Sequence, residues 1–92
     1  MMEKARITLP PFYIDVEGVR ALVLEVGKTE LSPEEILYTA SIQLEYKGMR
    51  SRTFFLQARD ERDLLDKLRL EVSKLKFIEL AYGTEFLRRL IA

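Results

Sequence analysis

The sequence predicts an α+β fold. An antiparallel four-segment β-meander is followed by a long helix over about 60–82 and a short C-terminal helix over about 85–91, and the long helix packs on one sheet face. Three observations predict it. Apolar and polar residues alternate in several stretches before residue 59. Glycine-containing turn signals separate these stretches, which favours hairpins between neighbours over crossovers. From Asp60 onward the alternation gives way to a helical period: Leu64, Leu68, Val72, Leu75, Ile78 and Tyr82 fall on one helix face.

Ile7 and Leu9 are apolar on alternate positions, but Pro10-Pro11 stops a strand there. Phe12, Ile14 and Val16 then mark a short strand, placed at a sheet edge because the prolines precede it. Glu17-Gly18 is a tight-turn signal, since glycine tolerates positive φ. Val19 to Val26 reads as the next strand. Leu22, Leu24 and Val26 share one face, and Val19, Ala21 and Val23 share the other. Apolar residues on both faces predict a central strand, or one whose outer face meets a partner.

Gly27 to Glu35 reads as a connection. Ser32-Pro33-Glu34-Glu35 has the form of a capping box with Pro at the first helical position. The alternation of Tyr38, Ala40, Ile42, Leu44 and Tyr46 with polar neighbours outweighs it, so a long strand is predicted, preceded by at most one helical turn. Lys47-Gly48-Met49 is a hairpin turn. Arg50 to Ala58 returns as a strand, with Phe54, Leu56 and Ala58 on the face of Arg52, and Thr53, Phe55 and Gln57 on the other.

Asp60 is placed to cap the long helix. Glu61 and Asp63 near its start, and Lys74 and Lys76 further along, suit the helix dipole. The pairs Asp63/Lys67 and Glu71/Lys74 each add about 0.3 kcal/mol. Gly83 fits a left-handed C-terminal position. Phe77, Leu80 and Ala81 form a second apolar stripe beside the first. Either the helix becomes more buried toward its end, or Lys76–Tyr82 is a separate strand, and the unbroken helical spacing favours the helix. Thr84 can cap a terminal helix in which Phe86/Leu90 and Leu87/Ile91 form two apolar pairs, with Arg88 and Arg89 facing away.

The 92 residues fit one domain. Fifteen basic and fifteen acidic side chains give zero formal net charge, which argues against a general nucleic-acid coat or a polybasic membrane anchor. Cysteine and histidine are absent, which removes disulfides, thiol chemistry, the commonest general base and the commonest metal ligand. Asparagine is absent and glutamine occurs only at Gln43 and Gln57, a composition that points to a thermophile. No apolar stretch follows the opening charges as in a signal peptide, and none approaches a membrane span. The expectation is a cytoplasmic protein with no membrane association.

Lys47, Arg50 and Arg52 cluster at a hairpin tip and could contact phosphates of RNA or DNA. Three contacts give a salt slope of only about −2.7, so one hairpin would bind weakly and a symmetric dimer better. The same charges also keep an edge strand from pairing with other chains. Asp15 and Glu17 could in principle share acid–base work or a hard cation, though a solvated edge is the commoner meaning. Tyr13, Tyr38, Tyr46 and Tyr82 could stack bases, but no basic surface surrounds them in sequence. Phosphate-loop, dinucleotide-binding, nucleophile-elbow and zinc-protease motifs are absent. No catalytic residue, metal ligand or cofactor is therefore assigned.

The apolar content, 48%, is high for a chain of this size, and surplus apolar surface marks association. The function expected is a small non-catalytic protein-interaction or oligomerisation module, a homo-oligomer with a dimer favoured. Its contacts are assigned to Val23, Phe86, Leu87, Leu90 and Ile91. The alternatives are a weak nucleic-acid binder acting through Lys47, Arg50 and Arg52, and an accessory subunit of a larger enzyme complex.

Overall fold

A computed structural model describes the backbone of residues 3–91 and the side chains of residues 12–91. The order is β1 (Glu3–Val16), β2 (Val19–Ser32), β3 (Glu35–Tyr46), β4 (Met49–Arg50), β5 (Phe54–Ala58), α1 (Glu61–Tyr82) and α2 (Thr84–Ile91). All pairings are antiparallel: β1 lies beside β2, β2 beside β3, and both β4 and β5 pair with β3. This is the expected α+β meander, with its return strand in two pieces.

Both predicted tight turns form. Glu17 and Gly18 have φ of 51° and 84°, and Lys47 and Gly48 have φ of 49° and 75°. Positive φ at both central residues matches the right-handed twist of the flanking strands.

Three boundaries differ from expectation. The prolines do not end a strand, because β1 runs through them. Its register with β2 shifts between Thr8 and Phe12, and no pair falls on Pro10 or Pro11. An edge strand absorbs two missing N–H donors at such an interruption. The predicted connection Gly27–Glu35 is mostly strand, since Gly27 to Glu30 pair with both β1 and β3. The capping-box sequence makes no helical turn. The Ser32 hydroxyl oxygen accepts the Glu35 N–H at 3.1 Å and closes a tight turn at Pro33-Glu34 instead.

A fourth difference concerns faces. The register of β2 against β3 shifts between Val23 and Glu25, so that Leu24 stands as a bulge and Val26 pairs with Ala40. One extra residue reverses the alternation. Val26 therefore joins Val19, Ala21 and Val23 on the helix side, and Leu22 stays opposite, between Tyr13 and Gln43.

The core lies between that sheet face and α1. Val19, Ala21, Ala40, Ile42 and Leu44 meet Leu68, Val72 and Leu75 of the helix. Fully burying a side chain of this kind contributes roughly 1.5–3 kcal/mol. Asp60 caps α1 as predicted, its Oδ1 accepting the Asp63 N–H at 2.8 Å. The helix is continuous to Tyr82, so Lys76–Tyr82 is not a strand. Gly83 then turns the chain at φ 92°, ψ 165°, an extended positive-φ conformation rather than the left-handed helical one. Its N–H donates to the Glu79 carbonyl at 2.8 Å, and its carbonyl accepts from Leu87 at 3.2 Å, so one residue ends α1 and begins α2. Thr84 is not that cap; its hydroxyl turns back to Glu79 at 3.0 Å.

The break between β4 and β5 has a matching cause. Ser51 Oγ accepts the Leu44 N–H at 2.8 Å and thereby replaces a missing ladder carbonyl. The Arg52 N–H donates to the Ile91 carbonyl at 3.2 Å. The edge strand opens there, and the end of α2 docks on it.

Candidate protein-interaction surface

The α2 pairs separate. Leu87 is wholly buried and Ile91 packs against the core, whereas Phe86 and Leu90 remain 42% and 54% exposed. Val23 is buried on the helix side of the sheet. Of the residues assigned to a contact, Phe86 and Leu90 are thus the ones reachable from outside, while Val23, Leu87 and Ile91 serve the chain's own interior.

A second apolar surface lies on α1. Leu70, Phe77 and Leu80 are 56%, 68% and 86% exposed, and Ser73 beside them is exposed too. These four recur at spacings of three, four and three residues, the pattern of a seam on one helix side. Leu68, Val72 and Leu75, which fill the core, lie on the opposite side. The helix is thus apolar on two faces, and only one has a sheet to cover it.

The charges around this seam are arranged by sign. Arg62, Arg69 and Lys76 run along one flank at seven-residue spacing, and Lys67 and Lys74 along the other. Asp63 and Asp66 continue the seam toward the helix N-terminus. Asp63 holds Lys67 at 3.4 Å, and Asp66 holds Arg69 at 3.6 Å. Asp63 also accepts the Arg59 N–H; that bond first, and Lys67 second, hold its carboxyl below the usual range. On the Lys74 side the seam borders a groove of about 400 Å³ between α1, α2 and the edge strand, lined by Phe54, Leu75, Ile78 and Leu90 among others.

The basic hairpin is engaged within the chain. Lys47 Nζ lies 3.0 Å from Glu79 Oε2. Arg50 Nε and Nη2 donate to Glu45 Oε2 at 3.1 and 2.7 Å. The Arg52 side chain is exposed. Glu79 is the hub of this end, since it also accepts from the Tyr46 hydroxyl at 2.8 Å and from Thr84. The Tyr46 hydroxyl, then Lys47, hold the Glu79 carboxyl below its ordinary value, and Glu79 in turn raises the Lys47 ammonium. The cluster ties the β3–β4 hairpin to the junction of the two helices.

Asp15 pairs across the sheet with Arg20, and the Glu17 carbonyl accepts from Lys76. Among the described residues no group of acidic side chains is placed to hold a metal ion. The tyrosines occupy separate surfaces. Tyr13 lies under the Arg20 guanidinium at 4.5 Å, Tyr46 bonds Glu79, Tyr38 pairs with Ala58, and Tyr82 stacks on Phe86 at 4.8 Å. The open sheet face is mixed rather than greasy: Arg20, Glu25, Gln43 and Glu45 share it with Tyr13 and Phe55.

Comparison with family models, curated proteins and solved structures finds no match for this chain. The surface therefore has to be read from its own chemistry. In the sequence, Phe77, Leu80 and Ala81 point either to deeper burial of the helix end or to a separate strand over Lys76–Tyr82; the structure leaves all three exposed on a continuous helix. Leu70, one heptad before Phe77, would have shown the stripe to be a seam.

Proposed function

We propose that this protein is a small non-catalytic protein-interaction module that takes up another polypeptide on the outer side of α1. One observation carries the proposal: Leu70, Phe77 and Leu80 stand exposed in one row, with Ser73 among them, on the side of α1 turned away from its own core. Leaving such a row in water has a hydrophobic cost that a partner relieves. An accessory role in a larger enzyme complex is one form of this function. A chain 33% charged, with no asparagine, supports operation at high temperature.

The test is affinity purification of the tagged chain from its source organism, beside a Leu70→Ser/Phe77→Ser/Leu80→Ser variant and a Phe55→Ser control. A stoichiometric protein that accompanies the wild type and the control but not the triple variant is expected. A companion retained by the triple variant overturns the assignment of the surface.

A second reading, a two-fold dimer, is favoured by α2. Phe86 and Leu90 are exposed beside Glu85, Arg88 and Arg89, so a two-fold axis there could set each chain's Glu85 against its copy's arginines. Sedimentation equilibrium tests it: a dimer mass that Phe86→Glu/Leu90→Glu converts to monomer supports it, and a monomer throughout removes it. Nucleic-acid binding through Lys47, Arg50 and Arg52 is less favoured, since Lys47 and Arg50 hold the largely buried carboxylates of Glu79 and Glu45 at 3.0 and 2.7 Å.

A further inference from the structure

The seam on α1 carries information about what covers it. We infer that its partner is an acidic amphipathic helix: one with an apolar seam flanked by Glu or Asp over about two heptads, and a basic residue where it passes Asp63 and Asp66. The inference rests on the reading of the outer side of α1 as a protein-docking surface, and it names the chemistry of the partner.

Residues flanking an apolar seam decide partner and orientation in helix pairs, because they face the partner's flanks across the interface. Here the flanks are Arg62, Arg69 and Lys76 on one side and Lys67 and Lys74 on the other. In the C-terminal half of the seam, where Phe77 and Leu80 stand, the nearby carboxylates are Glu71 and Glu79. Glu79 is turned inward to Tyr46, Lys47 and Thr84, and Glu71 lies on the groove side beside Lys74. The flanks there present Arg69 and Lys74 to whatever arrives, while the half-buried Lys76 is turned to the Glu17 carbonyl.

A second copy fits this seam poorly. With the two apolar rows overlaid, antiparallel self-pairing sets Lys74 beside its copy and parallel self-pairing sets one basic flank against the other, while Asp63 and Asp66 fall outside the overlap, so cation meets cation either way. An anionic membrane would satisfy Arg69 and Lys74, but its headgroups are laterally uniform. Asp63 and Asp66 lie in the same seam, and Asp66 is 65% exposed, so a bilayer that welcomes one half of the row repels the other. A polypeptide can present acids along one stretch and a base along the next. The bonds of Arg69 to Asp66 and of Lys74 to Glu71 do not cancel this preference, because exposed pairs of that kind are weak and exchange readily, whereas Lys67 is held by Asp63 and the Gln57 carbonyl together.

The experiment uses the whole protein and two fluorescein-labelled synthetic helices of about three heptads. Both have leucine seams; one has glutamate flanks and its isomer lysine flanks. Binding is read by fluorescence anisotropy, with phosphatidylglycerol vesicles as a third arm. The acidic helix is expected to bind saturably, to weaken as salt rises from about 50 to about 500 mM, and to bind the Phe77→Ser/Leu80→Ser variant no better than background. Arg69→Glu/Lys74→Glu should lose about tenfold in affinity for the acidic helix and gain affinity for the basic one. Equal binding of the two helices, binding to vesicles alone, or a solution dimer abolished by Phe77→Ser/Leu80→Ser each overturns the inference. If the helices fail while the source-organism companion still depends on Leu70, Phe77 and Leu80, the docking surface stands and the partner chemistry named here falls. If that companion is also indifferent to them, both fall.

Discussion

The inner and outer sides of α1 are built from similar side chains and meet different surroundings. Leu68, Val72 and Leu75 are 0%, 0% and 5% exposed against the sheet, while Leu70, Phe77 and Leu80 on the far side are more than half exposed. The difference comes from what lies opposite. One sheet face, with Met49 and Leu87 packed into the same core, takes one stripe of the helix. The other stripe adds nothing to the interior. Two leucines two residues apart, Leu68 and Leu70, can therefore serve folding and binding separately, and substitutions can tell them apart.

The largest expected effects come from breaking the inner side. Leu68→Ala and Leu87→Ala should each cost about 2–5 kcal/mol in urea unfolding, through lost burial and a cavity. A cost below about 1 kcal/mol for Leu87→Ala would mean that α2 is not part of the core. Ser51→Ala sharpens the same point. It strips the Leu44 N–H of its acceptor where α2 docks, and should cost about 1–3 kcal/mol. Asp60→Ala removes the cap of α1 and should cost about 1 kcal/mol.

The Glu79 hub predicts a pH dependence with a definite sign. The Glu79 carboxyl is lowered in the folded chain, so its stabilisation is present above its unfolded pKa, about 4.3, and is lost as pH falls through the folded value. Lys47 is raised, so its share is present below about 10.4 and is lost as pH rises through its folded value. Glu79→Gln should therefore lower the thermal midpoint at neutral pH, with the gap to wild type closing toward both acid and alkali. A gap independent of pH would remove the hub from the account. The smallest effect belongs to the outer side: Phe77→Ser and Leu80→Ser should each change unfolding free energy by no more than about 0.5 kcal/mol.

Most of the architecture was legible because period is a strong signal. The alternation at Tyr38–Tyr46, the turns at Glu17-Gly18 and Lys47-Gly48, and the cap at Asp60 all lie where local chemistry puts them. What was not legible depended on partners distant in sequence. Pro10-Pro11 reads as a strand stop until an edge ladder with an interruption accommodates it. Ser32 reads as a helix cap until two long strands require a turn there. Leu24 looks like a face residue, and only the pairing with β3 reveals the bulge that carries Val26 to the helix side. Of the contact residues, Phe86 and Leu90 could not be told from Leu87 and Ile91 by spacing, since both pairs are four residues apart and only docking at the Ser51 break separates them.

The most direct test places a photoreactive benzoylphenylalanine at position 77, on the outer row of α1, and at position 55, on the open sheet face. Each chain is irradiated in lysate of the source organism. The account predicts one discrete adduct at position 77, with the mass of this chain plus a different polypeptide, and none at position 55. No adduct at position 77, or one with the mass of two copies of this chain, would contradict it.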